Sequence, residues 1–571
     1  MFNFSLVDEK WIPCLVKHDG LRQELSLKDT LLRASEIKGI FDPSPLVTIA
    51  VHRLLLAILH RNFGPANESE WEKLWNNGTG KWDAGNIMTY LNKWYYRFNL
   101  FDEKYPFYQC RNMPVSTTDA KGKPKSYAKS IANLIHELVT GNNATLFDHT
   151  SENKPPAVSP AEAARLLVAF QAFSVSGLLT YEAGQNPKFY KSADNAPLVK
   201  GAVTLAQGEN LFQTLMLNLH KYNSNEAVPF DIKPDDCPAW ECEDETIPGN
   251  RYPKGYLDLL TWQSRRIRLI PEQDNTNQTV IRQVVIMKGN QFPDGYSLHN
   301  KETMLAYRKI PKPSKDQDPW PAVAFQEDKA LWRDSLNLFQ SVEEERIKPK
   351  TLGWISDLIE EVVLPRQAVF NLSMMGLVTR QAKISLWRHE RLPLPLSYLQ
   401  DEKLIQALKE ALELAEQAGR LLDTKLVEIE FSDKKGKRKT WVPSPLRFLA
   451  RLIVAPEVEP QKLNDNQRKE IDSLVNYLSP ARSYWAALGI AFNRFMIELA
   501  EDTSEERVDS LRKWAKEIRK AAQDAFEETA NNLDRTGRSL KAISMAESEF
   551  YRRLRDILKV YINDAKEGGE K

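Results

Sequence analysis

The chain has 571 residues, 42% hydrophobic and 27% charged, an ordinary globular composition whose length suits two to four domains. Its 78 basic and 77 acidic side chains leave a net charge of +1, which excludes a protein coated in basic surface and leaves room only for local basic patches. No run approaches the ~18 apolar residues of a membrane span; the most apolar stretch, 46–59, is interrupted by His52 and Arg53.

Before about residue 400, short segments are punctuated by Pro, Gly and Asn clusters. Segments 46–61 and 160–172 read as helices, the second with Pro160 in its first turn, where no N–H is needed. Gly201–Leu205, Arg266–Ile270 and the β-branched run Thr279–Met287 read as strands. The stretches 223–254 and 310–322 are rich in Pro, Asp and Asn or Lys and read as loops. After about 400 the pattern turns helical. Leu404, Leu408, Leu412, Ala415 and Leu422 share one face; Trp485, Leu488, Phe492, Phe495, Met496 and Leu499 share another. A third helix opens at Thr503 and Glu506, a capping-box spacing, and a fourth carries Ile543, Ala546, Phe550, Leu554, Ile557 and Tyr561. The expected fold class is α+β: a mixed N-terminal domain over 1–395, then an antiparallel four-helix bundle over 396–571. Basic runs at 434–439, 512–520 and 552–559 are either solvated faces or phosphate contacts.

Catalytic signatures are missing. The string Gly78-Thr-Gly-Lys81 lacks the upstream glycine and following Ser/Thr of a phosphate-binding loop, and no H-E-x-x-H, G-x-S-x-G or G-x-G-x-x-G occurs. Four cysteines are too few for a disulfide framework. Cys237 and Cys242 lie five apart, with no neighbour to complete a zinc set, so neither metal nor cofactor is expected. The opening residues have acids early and lack a basic-then-apolar leader, so a cytoplasmic protein without membrane partners is expected.

An ordered series of segments resembles the CasA family, the large subunit of the type I-E CRISPR surveillance complex Cascade. Leu6-Val-Asp-Glu-Lys-Trp11-Ile-Pro13 resembles the family's opening, and Tyr105-Pro-Phe-Tyr-Gln109 its His-Pro-Phe-Met-Gln segment. Ala144–His149 falls where the family has a Phe-bearing loop; Pro197–Gly201 and Leu211–Leu219 resemble its next strand and helix. Trp262-Gln263 matches a Phe-Trp-Gln-Pro position, and Met375–Ile384, closing at Arg388-His-Glu390, resembles its wedge segment. The series, rather than any one motif, carries the likeness.

The resemblance implies a non-catalytic subunit that recognises the protospacer-adjacent motif in double-stranded DNA and wedges the duplex open to start the R-loop. It also implies help in recruiting a helicase-nuclease effector. In such systems base pairing reads the long sequence and protein reads only the short motif. The implied partners are the other Cascade subunits, the CRISPR guide RNA, double-stranded target DNA and that effector. Gln381 aligns with the family's wedge glutamine, flanked by Thr379 and Arg380. Lys288 aligns with a minor-groove lysine on a strand-end turn, where exposure is expected, with Asn290 and Gln291 as readers in an adjacent register. Gly177 and Gly184 are candidates for a loop that meets the motif backbone-first. Phe147 aligns with an anchor on the guide RNA and a neighbouring subunit. Some members carry cysteines after the Trp-Gln segment; residues 270–278 have none, so no zinc is implied. A metal-dependent nuclease with dispersed carboxylates, or a scaffold without DNA contact, remains open on the residues alone.

Overall fold

The computed structural model describes residues 2–562 apart from 17–19, 79, 119–121, 137–154, 224–233, 244–246, 300, 316, 343–344, 381–382, 424–425 and 434–435. The chain forms two compact units, one of Met1–Leu331 with Asn337–Leu399, the other of Trp332–Leu336 with Gln400–Lys571. The architecture is mixed α+β ending in a helical bundle.

The first unit is organised around helix Pro45–Phe63, buried on every face from Pro45 to His60. A helix apolar all round is a core element, and this one packs on helix Pro160–Phe173. It is long and apolar enough to cross a membrane by length and composition, but 83% of that window is buried inside the protein. The two residues that interrupt its apolar run are used internally. Arg53 makes a two-pronged bridge to Glu302 at 2.8 and 3.0 Å, and His52 Nδ1 meets the Thr48 carbonyl one turn back at 2.7 Å.

The first unit also holds three three-stranded sheets, the third of which packs on this helix. The opening segment places Trp11 in the core, its indole N–H donating to Leu6 O at 2.9 Å. Strand Ile12–Val16 then lies between Arg22–Leu25 and Ile37–Ile40, antiparallel to both. In the second sheet Arg265–Gln273 and Thr279–Lys288 form a hairpin with Lys129–Ser130 on its edge. Its turn is closed by Asp274, whose carboxylate accepts from the amides of Thr276 and Gln278 and the Thr276 hydroxyl. The third sheet orders Lys383–Pro395, Val369–Arg380 and Val203–Gln207, all antiparallel. All three expected strands are present, and both expected helices. The segment Tyr105–Gln109 is scaffolding: Phe107 and Tyr108 stack at 4.4 Å, and Gln109 Oε1 accepts from Leu269 N at 2.8 Å.

The second unit holds the four long helices Glu402–Arg420, Pro480–Glu501, Glu506–Asn531 and Gly537–Leu558. Two shorter ones, Pro445–Val454 and Asp465–Leu478, were not distinguished in the sequence. Trp514 Nε1 donates to Ala411 O at 2.9 Å and the Tyr484 hydroxyl to Ala415 O at 2.8 Å, fixing neighbouring helices in register. The segment Trp332–Leu336 belongs here because Trp332 stacks on Phe492 at 4.4 Å and Arg333 bridges to Glu416 at 2.7 Å. Strands Leu426–Asp433 and Gly436–Pro443 form the hairpin expected around the basic run. At the third helix, the Thr503 amide and hydroxyl both donate to Glu506, which makes half of the expected capping box.

Candidate nucleic-acid interface

The strand Thr279–Lys288 ends at a crossing of backbones. Arg265 and Lys288 face each other in register. At Gly289 a Cβ would sit 2.6 Å from Gln263 O and 2.7 Å from Arg265 N, so only glycine lets the chain pass. Beyond it Asn290–Gln291 pairs in parallel with Gly249–Asn250. This crossing buries what the sequence expected to be exposed. Lys288 is only 9% exposed, and Asn290 and Gln291 are 5% and 3%. Gln291 is a hub: its Oε1 accepts from Asp194 N at 2.5 Å, and its Nε2 donates to Ser264 O at 3.3 Å. The expectation of side chains displayed on an open turn is therefore corrected, because two strands and a loop close over it.

That loop is the glycine-containing one. Residues 176–194 leave and re-enter through the two-residue pairing of Gly177–Leu178 with Ser192–Ala193. Arg265 clasps its two ends, donating to Val175 O at 2.9 Å and Asp194 O at 2.7 Å, with a third bond to Ser264 O at 2.9 Å. Arg266 holds the middle through Glu182 at 3.1 Å, and the Tyr127 hydroxyl accepts from Ala183 N at 2.9 Å. The short helix Pro187–Tyr190, capped by Asn186, then delivers Phe189 to Lys288. Lys288 Nζ donates to Phe189 O at 2.9 Å and lies 4.2 Å from the centre of that ring. The structure thus gathers Lys288 and the glycine loop, far apart in sequence, into one place.

The two glycines differ. Gly184 adopts φ +86°, a left-handed conformation that disfavours any side chain, with open space where a Cβ would project. Gly177 is equally open but needs no special backbone. At Gly184 the main chain is consequently bare to whatever approaches.

The corner is electrostatically positive. Burial pushes the Arg265 guanidinium down to about 10, opposed by nearby Asp194. Burial also lowers Lys288, with Asp194 opposing and Arg265 adding to the effect. Arg265, Arg266 and Lys288 stand against the carboxylates of Asp194 and Glu182, which leaves a modest local excess of positive charge. Arg265, Arg266 and Phe189 were missed by sequence reasoning. Arg266 and Arg268, alternating with Ile267 and Leu269 directly after Arg265, were the signal, since the burial pattern alternates along the strand Arg265–Gln273.

The second candidate element is the hairpin Val369–Arg380/Lys383–Pro395. Its root is held by the third strand over Asn371–Met375 and by Ser373, which donates to Gln207 at 2.7 Å and lies 3.1 Å from His389 Nε2. Arg388 donates to the carbonyls of Gln326 and Lys329, and Glu390 accepts from Leu331 N at 2.7 Å. Past Met375 the third strand stops, and the remaining residues to Arg380 carry the pair about 17 Å further at the rise of a strand. The register shifts between Val378 and Thr379, so Thr379 pairs with Ile384 and Arg380 with Lys383. Gln381 lies outside the described residues, as does Phe147.

The basic runs of the second unit are partly neutralised: Arg512 pairs with Asp509, and Arg552 and Arg553 with Glu549. Cys237 and Cys242 are free thiols with sulfurs 3.4 Å apart. Among the described residues no three His, Cys, Asp or Glu side chains gather as a metal site would require.

A mixed domain with a lysine-and-glycine-loop corner and a long two-stranded hairpin, followed by a helical bundle, defines the class. The family model described as CRISPR-associated protein Cse1 matches residues 5–525, and the chain belongs to this family. It is 31% identical over 570 residues to the CRISPR-associated protein CasA/Cse1 of Thermus thermophilus, covering 97% of this chain and 98% of that one. The crystal structure of CasA from Thermus thermophilus superposes with a TM-score of 0.74 at 28% identity, over 97% of this chain and 99% of that one. Cse1 from Acidimicrobium ferrooxidans shares the fold, with a TM-score of 0.76 at 23% identity over 98% and 99% of the two chains. A chain of a CRISPR RNA-guided surveillance complex likewise shares the fold, with a TM-score of 0.69 at 16% identity over 96% and 99%.

Proposed function

We propose that this chain is the large, non-catalytic subunit of a CRISPR RNA-guided surveillance complex, and that it reads the protospacer-adjacent motif in duplex DNA and starts strand opening. The observation that carries the reading is the clasped corner: Lys288 against Phe189, beside a loop whose Gly184 backbone is bare. Lys288 donates to a carbonyl at rest. A minor-groove edge offers comparable acceptors, adenine N3 and thymine O2, which take the place of Phe189 O once the loop over Lys288 moves aside. Recognition from that groove is degenerate, which suits tolerance of several related motifs. A bare main chain at Gly184 allows close approach to the sugar-phosphate backbone.

In this reading the hairpin carries the wedge, with Gln381 between base pairs and Thr379 and Arg380 beside it. Unstacking a step costs a few kcal/mol, offset by contacts in the opened DNA. Asn290 and Gln291 hold the lysine turn in place rather than touching bases, because both are buried. Phe147 anchors the guide RNA and an adjacent subunit, and the bundle helps position neighbouring subunits and recruit the helicase-nuclease. The near-neutral charge of +1 suits a subunit that must release most DNA quickly, since nonspecific affinity rises with every phosphate neutralised.

The test is a strand-opening assay on motif-bearing duplex with the assembled complex. Gln381→Ala is expected to slow opening more than it weakens initial binding, while Lys288→Ala weakens the binding itself. Equal loss of both steps in Gln381→Ala counts against a wedge. Sustained cleavage of DNA by the isolated chain with Mg²⁺ or Mn²⁺ would favour the nuclease alternative and sink this reading.

A further inference from the structure

A ladder of four aromatic rings climbs from the core to solvent beside the lysine turn. At its foot is Trp262, 3% exposed, stacked on Phe292 at 4.6 Å and 14°. Phe292 stacks on Tyr296 at 5.3 Å and 25°, and Tyr296 meets the edge of Tyr252 at 5.5 Å and 71°. Arg251 lies 4.1 Å from the centre of Trp262 and makes a two-pronged bridge to Asp258 at 2.5 and 2.9 Å. The lower rings are thereby fixed, whereas Tyr252 at the top is 65% exposed. Burial pushes the Tyr296 phenol up to about 12, so this ring stays neutral at physiological pH.

Gln291 connects the ladder to the candidate interface. Arg251 N donates to Gln291 O at 2.9 Å, and Asp194 N of the glycine loop donates to its side chain. Phe292 follows Lys288 by four residues, so the two lie within about 14 Å along the chain. One strand of DNA advances about 3.4 Å per nucleotide. Tyr252 stands two ring-to-ring steps beyond Phe292, of 5.3 and 5.5 Å, and is accordingly within about seven nucleotides of whatever Lys288 touches. Asn250 and Lys254 flank Tyr252 and are exposed polar residues, a setting suited to one flat π-face rather than to a broad apolar partner.

We propose that Tyr252 is a stacking platform for an unpaired nucleobase, released next to the motif when the first base pairs open. This rests on the DNA-reading function proposed above. Every base has a π-face, so the platform is sequence-tolerant, and a rigid ring already supported from below loses little freedom when a base stacks on it.

The experiment measures affinity of the full chain for three DNAs of one sequence: fully paired, with a four-base bubble, and single-stranded. A 2-aminopurine in the unpaired stretch reports stacking by quenching. The wild type is expected to bind the bubble about ten- to a hundredfold more tightly than the paired duplex, with the probe quenched. Tyr252→Ala abolishes both the preference and the quenching, and Tyr252→Phe keeps them. The proposal is overturned if the bubble has no advantage, or if Tyr252→Ala retains it. Paired-duplex binding that depends on Lys288 but shows no Tyr252 effect on the bubble overturns the platform alone. Failure to bind any of the three DNAs overturns the platform and the DNA-reading function together.

Discussion

Removing the clasp on the glycine loop tests the architecture of the interface directly. Arg265→Met keeps much of the bulk of the side chain and deletes three bonds, to Ser264 O, Val175 O and Asp194 O. Hydrogen bonds from a charged donor contribute roughly 1.5–3 kcal/mol each. Against this stands the cost of burying the cation: a drop from 12.5 to about 10 corresponds to roughly 3 kcal/mol. The bonds win, and the net loss is about 3 kcal/mol, more if the freed carbonyls find no water. For a folding unit of roughly 400 residues the unfolding entropy is about 0.8 kcal/mol per kelvin, so Tm of that unit falls by about 4 °C. Amide hydrogen exchange then localises the effect. Ser176 N, bonded to Asn195, and Leu179 N, bonded to Lys191 O, lie at the clasped ends and lose protection. Ala183 N, held separately by Tyr127, keeps most of its protection. A variant that melts lower while Ser176 and Leu179 exchange as in the wild type would refute the clasp, since the arginine would then support only the core.

Three further perturbations follow from the same structure. Glu302→Ala leaves Arg53 buried without its partner, both side chains being 3% exposed or less, and should cost about 3–5 kcal/mol. Pairing it with Arg53→Met should recover at least half of that by calorimetry, and equal losses in single and double variants would refute the reasoning. Gly184→Ala is expected to cost about 1–2 kcal/mol because of its left-handed backbone, and Gly177→Ala close to nothing. Equal denaturant midpoints for these two would contradict it. Burial holds His52, His136 and His220 down to about 4 and His60 well below its ordinary range. The unfolded chain protonates near 6.5 while the folded one does not, so stability falls as pH drops from 6.5 towards 4. The loss is about 2 kcal/mol per histidine at about pH 5. A Tm unchanged between about pH 7.5 and 5 would be inconsistent with neutral buried imidazoles.

What the amino-acid order determined alone was periodicity and punctuation. The β-branched run Thr279–Met287, the Pro160 helix start and the apolar stripes of the long C-terminal helices are local patterns, and local backbone physics obeys them. The ordered motifs from Leu6 to Glu390 likewise sufficed to indicate the family, and two of them mark pieces of scaffold with a fixed job. Trp11 seals the first sheet against Leu6, and Gln109 ties Leu100 to Leu269. Only the tertiary structure decided which side chains share a site. Arg265 is drawn to Val175 and Asp194 across 90 and 71 residues, a closure that no window along the chain contains. Burial was equally illegible. Lys288, Asn290 and Gln291 look like an open turn beside a glycine, yet Gly289 is there because two backbones cross at van der Waals distance. That crossing folds the turn inward, places Phe189 over the lysine and leaves Tyr252 as the ring that faces solvent. Glycine in a sequence signals freedom or closeness without saying which. Here the packing of a strand, a loop and an aromatic ladder chose closeness.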